Sequence, residues 1–190
     1  VTDTRTPGYL APRAEPLGQT ALEDTLQAVV AGVTGLAPQL VRPRWQPKPP
    51  TAPDRAVTWC AVGVTDMLPG VSSVSHSGAG DGTGVVTAWW PLTLLTTFYG
   101  PQAQAQALRL AAGLTLGQNR VALRDAGLAL TSVGAPRLAP ELRDGIWLPR
   151  VDLEITLTWE TRAEYGVCNL TAATGEIVTD TGGHRTLEEA

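Results

Sequence analysis

Between residues 150 and 160 the chain alternates without a break: Val151, Leu153, Ile155, Leu157 and Trp159 stand between Arg150, Asp152, Glu154, Thr156, Thr158 and Glu160. A period of two over that length predicts a strand with one face in a core and a polar face opposite. Residues 18–36 carry a different period. There Leu22, Leu26, Val29, Val30 and Val33 recur at helical spacing, and Thr20 with Glu23 makes the T-x-x-E pattern of a capping box. Gly35 and Pro38 supply the stop signals. In "TTFYGPQAQAQALRLAAGL" a strand ends on an aromatic pair and the chain turns at Gly100. A helix is predicted to follow, with Pro101 at its first position and an inner stripe of Ala103, Ala107, Leu110, Ala111 and Leu114. Its other face holds Gln102, Gln104, Gln106 and Arg109, either solvated or in contact with a neighbouring subunit. Trp59, Phe98, Leu110, Leu114, Leu153, Ile155 and Leu157 are expected to share one core beneath the helices.

The remaining segments read as further strands, a shorter helix and connections. "AVTWCAVGV" (56–64) predicts a buried strand. "HSGAGDGTG" (76–84) predicts a loop, with a tight turn at Asp81-Gly82. The stretch 85–100 is too long for one flat strand, and Pro91 predicts a bend, a bulge or a sheet edge near Trp90. A second helix is expected over 119–126, stopped by Gly127, then an edge-like strand to Val133. A hairpin or return strand over 166–179 would complete the sheet, and "DTGGHRTLEEA" reads as a tail. Between the first helix and the first strand, "VRPRWQPKPPTAPDR" holds five prolines in fifteen residues, so it is an extended connection. Trp45 and its flanking arginines predict that this connection lies against something: its own sheet, or a neighbouring subunit with Trp45 as anchor and Arg42 and Arg44 at the rim.

Composition narrows the function more than it suggests one. A chain of 190 residues with 43% hydrophobic and 17% charged residues has the size and polarity of one water-soluble domain with a real core. No apolar run approaches the roughly 20 residues of a spanning helix. The first residues also lack the basic start and apolar stretch of a secretory leader, which predicts intracellular synthesis. A net charge of −4 argues against gripping nucleic acid through its phosphates. Cys60 and Cys168 lie in apolar runs and read as buried thiols, and no Cys/His spacing suits zinc. The glycines at 76–84 lack a G-x-x-x-x-G-K-[ST] pattern and precede a strand. His76 and His184 stand in polar segments without the support a general base needs, and Asp152, Glu154 and Glu160 form one row rather than a pair across a cleft. No catalytic residue, metal ligand or cofactor contact is assigned.

Taken in order, "RPRWQPKPP" before "TWCAVGV", "FYGP" opening a helix, "NRVALRDAGLALTSVG", and the W-x-x-R-x-D-L of "WLPRVDL" opening the last long strand make a set. The set resembles the neck or tail-terminator proteins of tailed bacteriophages, above all contractile-tailed ones, over roughly residues 18–180. The resemblance implies an α+β, tail-terminator-like fold: a mainly antiparallel sheet flanked by two to three helices. An extended arm at 1–17, one domain at 18–180 and a tail at 181–190 are expected. It also implies a homohexameric ring that ends tail polymerisation, caps the tail tube and meets the head-side connector or adaptor, with sheath proteins as further partners. Genomic DNA would pass through the ring without specific binding. The place implied is the virion neck, after assembly in the host cytoplasm. A head-side stopper or adaptor is the alternative, ahead of an unrelated binding module or enzyme. On this reading Arg42, Arg44 and Trp45 are candidates for the subunit interface, and Asp81, Asp152, Glu154 and Glu160 for the channel lining. In a competing reading the carboxylates pair with Arg120 or Arg124 of an adjacent subunit.

Overall fold

A computed structural model of the chain describes residues 3–5, 7–13, 18–77, 81–168, 173–178 and 184–189. In chain order these form α1 (Gln19–Thr34), β1 (Val41–Pro43), β2 (Trp59–Met67), β3 (Val71–Ser77), β4 (Asp81–Tyr99), α2 (Ala103–Gly113), α3 (Val121–Asp125) and β5 (Leu128–Val133). Then come β6 (Arg137–Leu138), β7 (Glu141–Arg143), β8 (Ile146–Leu148), β9 (Arg150–Cys168), β10 (Ala173–Val178) and β11 (His184–Glu189). The protein is α+β. The chain divides into two compact units, one of Leu17–Val71 and Ala88–Thr161, the other drawn from the described parts of Val1–Pro16, Ser72–Thr87 and Arg162–Ala190. The long strands β4 and β9 contribute residues to both.

In the larger unit the strand order is β1-β2-β4-β9-β5, with β6 beside β9. β2 runs antiparallel to β4, and β5 and β6 antiparallel to β9; β1 lies parallel to β2. The alternation predicted for β9 is present: Val151, Leu153, Ile155, Leu157 and Trp159 are buried with Leu92, Leu94 and Phe98 of β4 and Cys60 and Val62 of β2. Onto that face pack Leu22, Leu26, Val29 and Val30 of α1, Ala103, Ala107 and Leu110 of α2, and Leu123 of α3. The alanines bring α2 close to the sheet, since a small side chain lets the helix backbone approach. Six of the seven expected core residues share this cluster, and Trp59 does not. Cys60 and Val62 point to the helices, so the two-residue period sends Trp59 to the opposite face.

Helix boundaries differ from expectation by local chemistry. Gly18 is the N-cap of α1 and makes no side-chain cap, so Thr20 lies inside the helix and the capping box is not formed. At the other end Gly35 (φ 73°) takes the left-handed conformation and returns its N–H to Ala31 O, the expected stop. Arg109 of α2 adds a guanidinium to the Thr34 carbonyl at 2.9 Å, a cation at the negative end of α1. Pro101 lies in the turn and α2 starts at Ala103, because Gln102 is the N-cap and its N–H goes to Thr58 Oγ1. α3 and β5 fall where predicted, joined by Gly127 at φ 72°.

β4 runs through Pro91 unbroken. The Pro91 carbonyl accepts from Leu68, beyond the end of β2. Leu68 and Pro91 continue the Met67–Leu92 register as a hydrogen-bonded pair, so the reciprocal bond that proline cannot make falls just where the β2–β4 ladder stops, one residue past β2. The irregularity appears instead on the partner, between Val64 and Asp66 of β2. Asp81 and Gly82, expected as a tight turn, belong to β4. Of the loop expected at 76–84, residues 78–80 lie outside the described residues.

In the smaller unit β3 pairs with β4, and Asp3 makes a bridge to Gly166. The Arg13 N–H reaches Glu164 O at 2.7 Å, and the Cys168 N–H reaches Thr4 Oγ1, also at 2.7 Å. β10 and β11 form a two-stranded sheet of their own rather than completing the large one, and the stretch 184–189 expected as a tail is strand. Among the described residues no helix is long and apolar enough to cross a membrane.

Candidate assembly surface

The sheet face turned away from the helices carries a stacked row of side chains. Trp59 and Tyr99 are register partners on β2 and β4, and their rings stack with centroids 4.4 Å apart and planes 13° from parallel. The Arg42 guanidinium lies 5.7 Å from the Trp59 ring centroid and that of Arg150 5.9 Å from Tyr99, both within cation–π range. Arg150 is held by Asp152 through two charge-assisted bonds, Nε to Oδ1 at 3.1 Å and Nη2 to Oδ2 at 2.9 Å, with Glu141 3.9 Å away. The Asp152 hydrogen bond drives the Arg150 pKa above its ordinary value, so the cation is firmly charged. Burial raises the Tyr99 phenol, against the pull of the Arg150 charge.

Across this face runs the proline-rich connection, as a strap. Arg42 clips it, donating from Nε to Gln39 O at 3.2 Å and from Nη1 to Thr51 O at 2.8 Å. Arg44 extends the β1–β2 ladder through its N–H to Val62 O at 2.9 Å, and its guanidinium donates to Thr97 Oγ1. Gly63 makes room for the strap: a Cβ there would stand 2.9 Å from Arg44 Cβ and 3.0 Å from the Trp45 ring. The strap therefore lies on its own sheet, yet Trp45 keeps 61% of its surface exposed. Between strap and β7 is a cleft of about 140 Å³ floored by Trp59, Ala61 and Tyr99, with Arg42, Arg44 and Arg143 around it.

Beside the strap, β7 and β8 form a hairpin closed by Asp144 (φ 51°) and Gly145 (φ 74°), the two positive values a tight I′ turn requires. Its register opposes Leu142 and Trp147, which stay 56% and 64% exposed. The strap thus leaves Trp45 exposed beside Arg44, a residue pairing typical of interface anchors, and the hairpin leaves Leu142 and Trp147 exposed on its own surface.

The proposed site residues do not gather in one place. Arg42, Arg44 and Trp45 come together on the outer face. Arg120 and Arg124 stand in the helix layer, where Arg124 donates to Gly117 O at 3.3 Å. Within the acidic row Asp152 is bound to Arg150, and Glu160 accepts from the Trp89 indole at 3.2 Å. Glu154 is exposed, and the Asp81 side chain lies outside the described residues. His76 is exposed at the end of β3; the His184 side chain lies outside the described residues. Among the described residues no three or more His, Cys, Asp or Glu are placed to hold a metal ion.

Two features escaped the sequence reading. Gln106, expected on the outer face of α2, is buried, and its Oε1 has no hydrogen-bond partner. The signal was its spacing, three after Ala103 and four before Leu110. The Trp59–Tyr99 stack had no such signal, because it depends on the register between β2 and β4.

A model of the phage neck terminator protein family matches residues 20–183. The match spans most of the chain, which belongs to that family and is a structural component of a phage virion. No curated protein matches it.

Proposed function

As a member of the phage neck terminator family the chain is, we propose, the subunit of a homohexameric ring that caps the tail tube, ends its polymerisation and joins it to the head-side connector. The family match over residues 20–183 carries this reading. On it, the α+β architecture is the tail-terminator fold, and the work is done by surfaces, without a cofactor or catalytic group. The outer face with Arg42, Arg44 and Trp45 supports a subunit contact, because it leaves a large aromatic side chain in solvent beside cations. Arg120 and Arg124, in the other layer, would serve a different contact from the strap. Tail tube and sheath proteins meet one end of the ring, the connector or adaptor meets the other, and genomic DNA passes along the axis without being held. Asp81, Asp152, Glu154 and Glu160 are proposed to face that axis, Glu154 most directly since Asp152 and Glu160 are already engaged within the chain.

Mass measurement of the purified chain, followed by electron microscopy with isolated tails and with filled heads, tests the reading. A closed ring that binds the ends of capsid-free tails is expected. Binding to filled heads alone would favour a stopper or adaptor, and a monomer indifferent to both would overturn the proposal.

A further inference from the structure

The larger unit carries a second surface feature whose chemistry complements the strap. Leu22 and Glu23 of α1, Val64, Thr65, Asp66 and Met67 of β2, and Trp159 of β9 line an open groove of about 330 Å³. Its floor is apolar: Leu22 and Trp159 are 3% and 8% exposed, and Met67, at 46%, adds a flexible thioether at the rim. Its charged lining residues are Glu23 and Asp66, with no cation among them. The groove lies at the β2 irregularity, beyond the residues that β1 covers. The strap has the opposite character. From 41 to 53 it holds Arg42, Arg44 and Lys48 and no carboxylate, and it carries Trp45 exposed over Gly63.

We propose that the groove receives Trp45 of a second copy of this chain, with Lys48 of that copy set against Asp66. At about 330 Å³ the groove is at the low end of the roughly 300–1,000 Å³ of small-molecule pockets, with room for an indole side chain. Charge fixes the direction of the contact, since the basic strap fits the acidic rim and two straps or two rims repel each other. Strap and groove are different patches, so the contact is heterologous and each copy offers one of each. Such a contact propagates and closes into a ring when the rotation allows it. The inference rests on the ring reading above and names the contact that builds the ring.

The test uses the full chain. In a Cys168→Ser background, Lys48→Cys with Asp66→Cys is assembled and oxidised, and its mass is compared with a non-reducing gel. Disulfide-linked dimers and higher multiples are expected. Trp45→Ala should weaken association about tenfold or more while leaving the dissociated monomer folded, as circular dichroism would show. Lys48→Glu should weaken it too, and adding Asp66→Lys should restore it. Rings that form normally with Trp45→Ala, or whose cysteines link only within one chain, would overturn the groove contact and leave the ring reading standing. A native chain that stays monomeric at every concentration would overturn both.

Discussion

Cys60 shows how one side chain ties the core to pH. Its thiol is fully buried on the helix-facing side of β2, and burial pushes its ionisation far above the ordinary value of 9.0, against the smaller opposing pull of the Arg44 charge and the Thr97 backbone hydrogen bond. The folded thiol keeps its proton to a higher pH than the unfolded one. Stability from this source is therefore intact below about pH 9 and is lost as pH rises above it, because the unfolded chain releases a proton that the folded chain retains. Melting temperatures between about pH 8 and about pH 10 should fall more steeply for the native chain than for Cys60→Ala. Equal slopes would show that the thiol is hydrated. Tyr99, also raised, adds a second alkaline loss that both proteins share. Ile155, 1% exposed on the helix-facing side of β9, gives a test of the strand's orientation. Ile155→Asp should cost roughly 3–5 kcal/mol in chemical denaturation, the scale of an uncompensated buried charge. A normal midpoint would mean that the faces of β9 are reversed.

Among the elements, the strap depends most on one residue elsewhere. Gly63 leaves space that Arg44 and the Trp45 ring fill, so Gly63→Val should lift the strap and cost about 1–3 kcal/mol by overpacking. Trp fluorescence and the denaturation midpoint should move together. A shifted midpoint with unchanged fluorescence would place the strain in β2 instead. The strap also shows what could be read in the chain beforehand. Five prolines declared an extended segment, and Trp45 declared that it rests on something, but the sheet face beneath it is set by strand order. β9, α1, α2 and α3 were legible because their periodicity is local. β3, the β2 irregularity and the β10–β11 hairpin were not. The two valines of Val71–Ser77, Val71 and Val74, are three apart and so on opposite faces, both exposed, and its pairing with β4 had no apolar face to announce it. The row Arg42–Trp59–Tyr99–Arg150 joins four separate stretches of sequence, and only register brings them together.

At the scale of the whole molecule, a net charge of −4 per chain fits the proposed channel, through which DNA would have to move. Phosphates bind where cations can release their counterions, and a neutral or acidic lining denies them that gain. Within the acidic row of β9, Asp152 is neutralised by Arg150, Glu160 accepts from the Trp89 indole and keeps its charge, and Glu154 is exposed. Glu154 is therefore the residue to change. Glu154→Lys turns one negative charge per subunit into a positive one at that position, without touching the Arg150–Tyr99 stack. If the face lines the channel, assembled rings should keep their mass and gain retention of duplex DNA that disappears between about 50 and about 200 mM salt. Asp152→Lys is expected to behave differently, freeing Arg150 beside a new cation and lowering stability by roughly 1–3 kcal/mol, so its loss of assembly would say nothing of the channel. Failure of Glu154→Lys rings to assemble, with the monomer still folded, would instead support pairing with Arg120 or Arg124 of the adjacent subunit. Intact rings that still release DNA at low salt would move this face away from the axis and leave the lining to residues elsewhere in the chain.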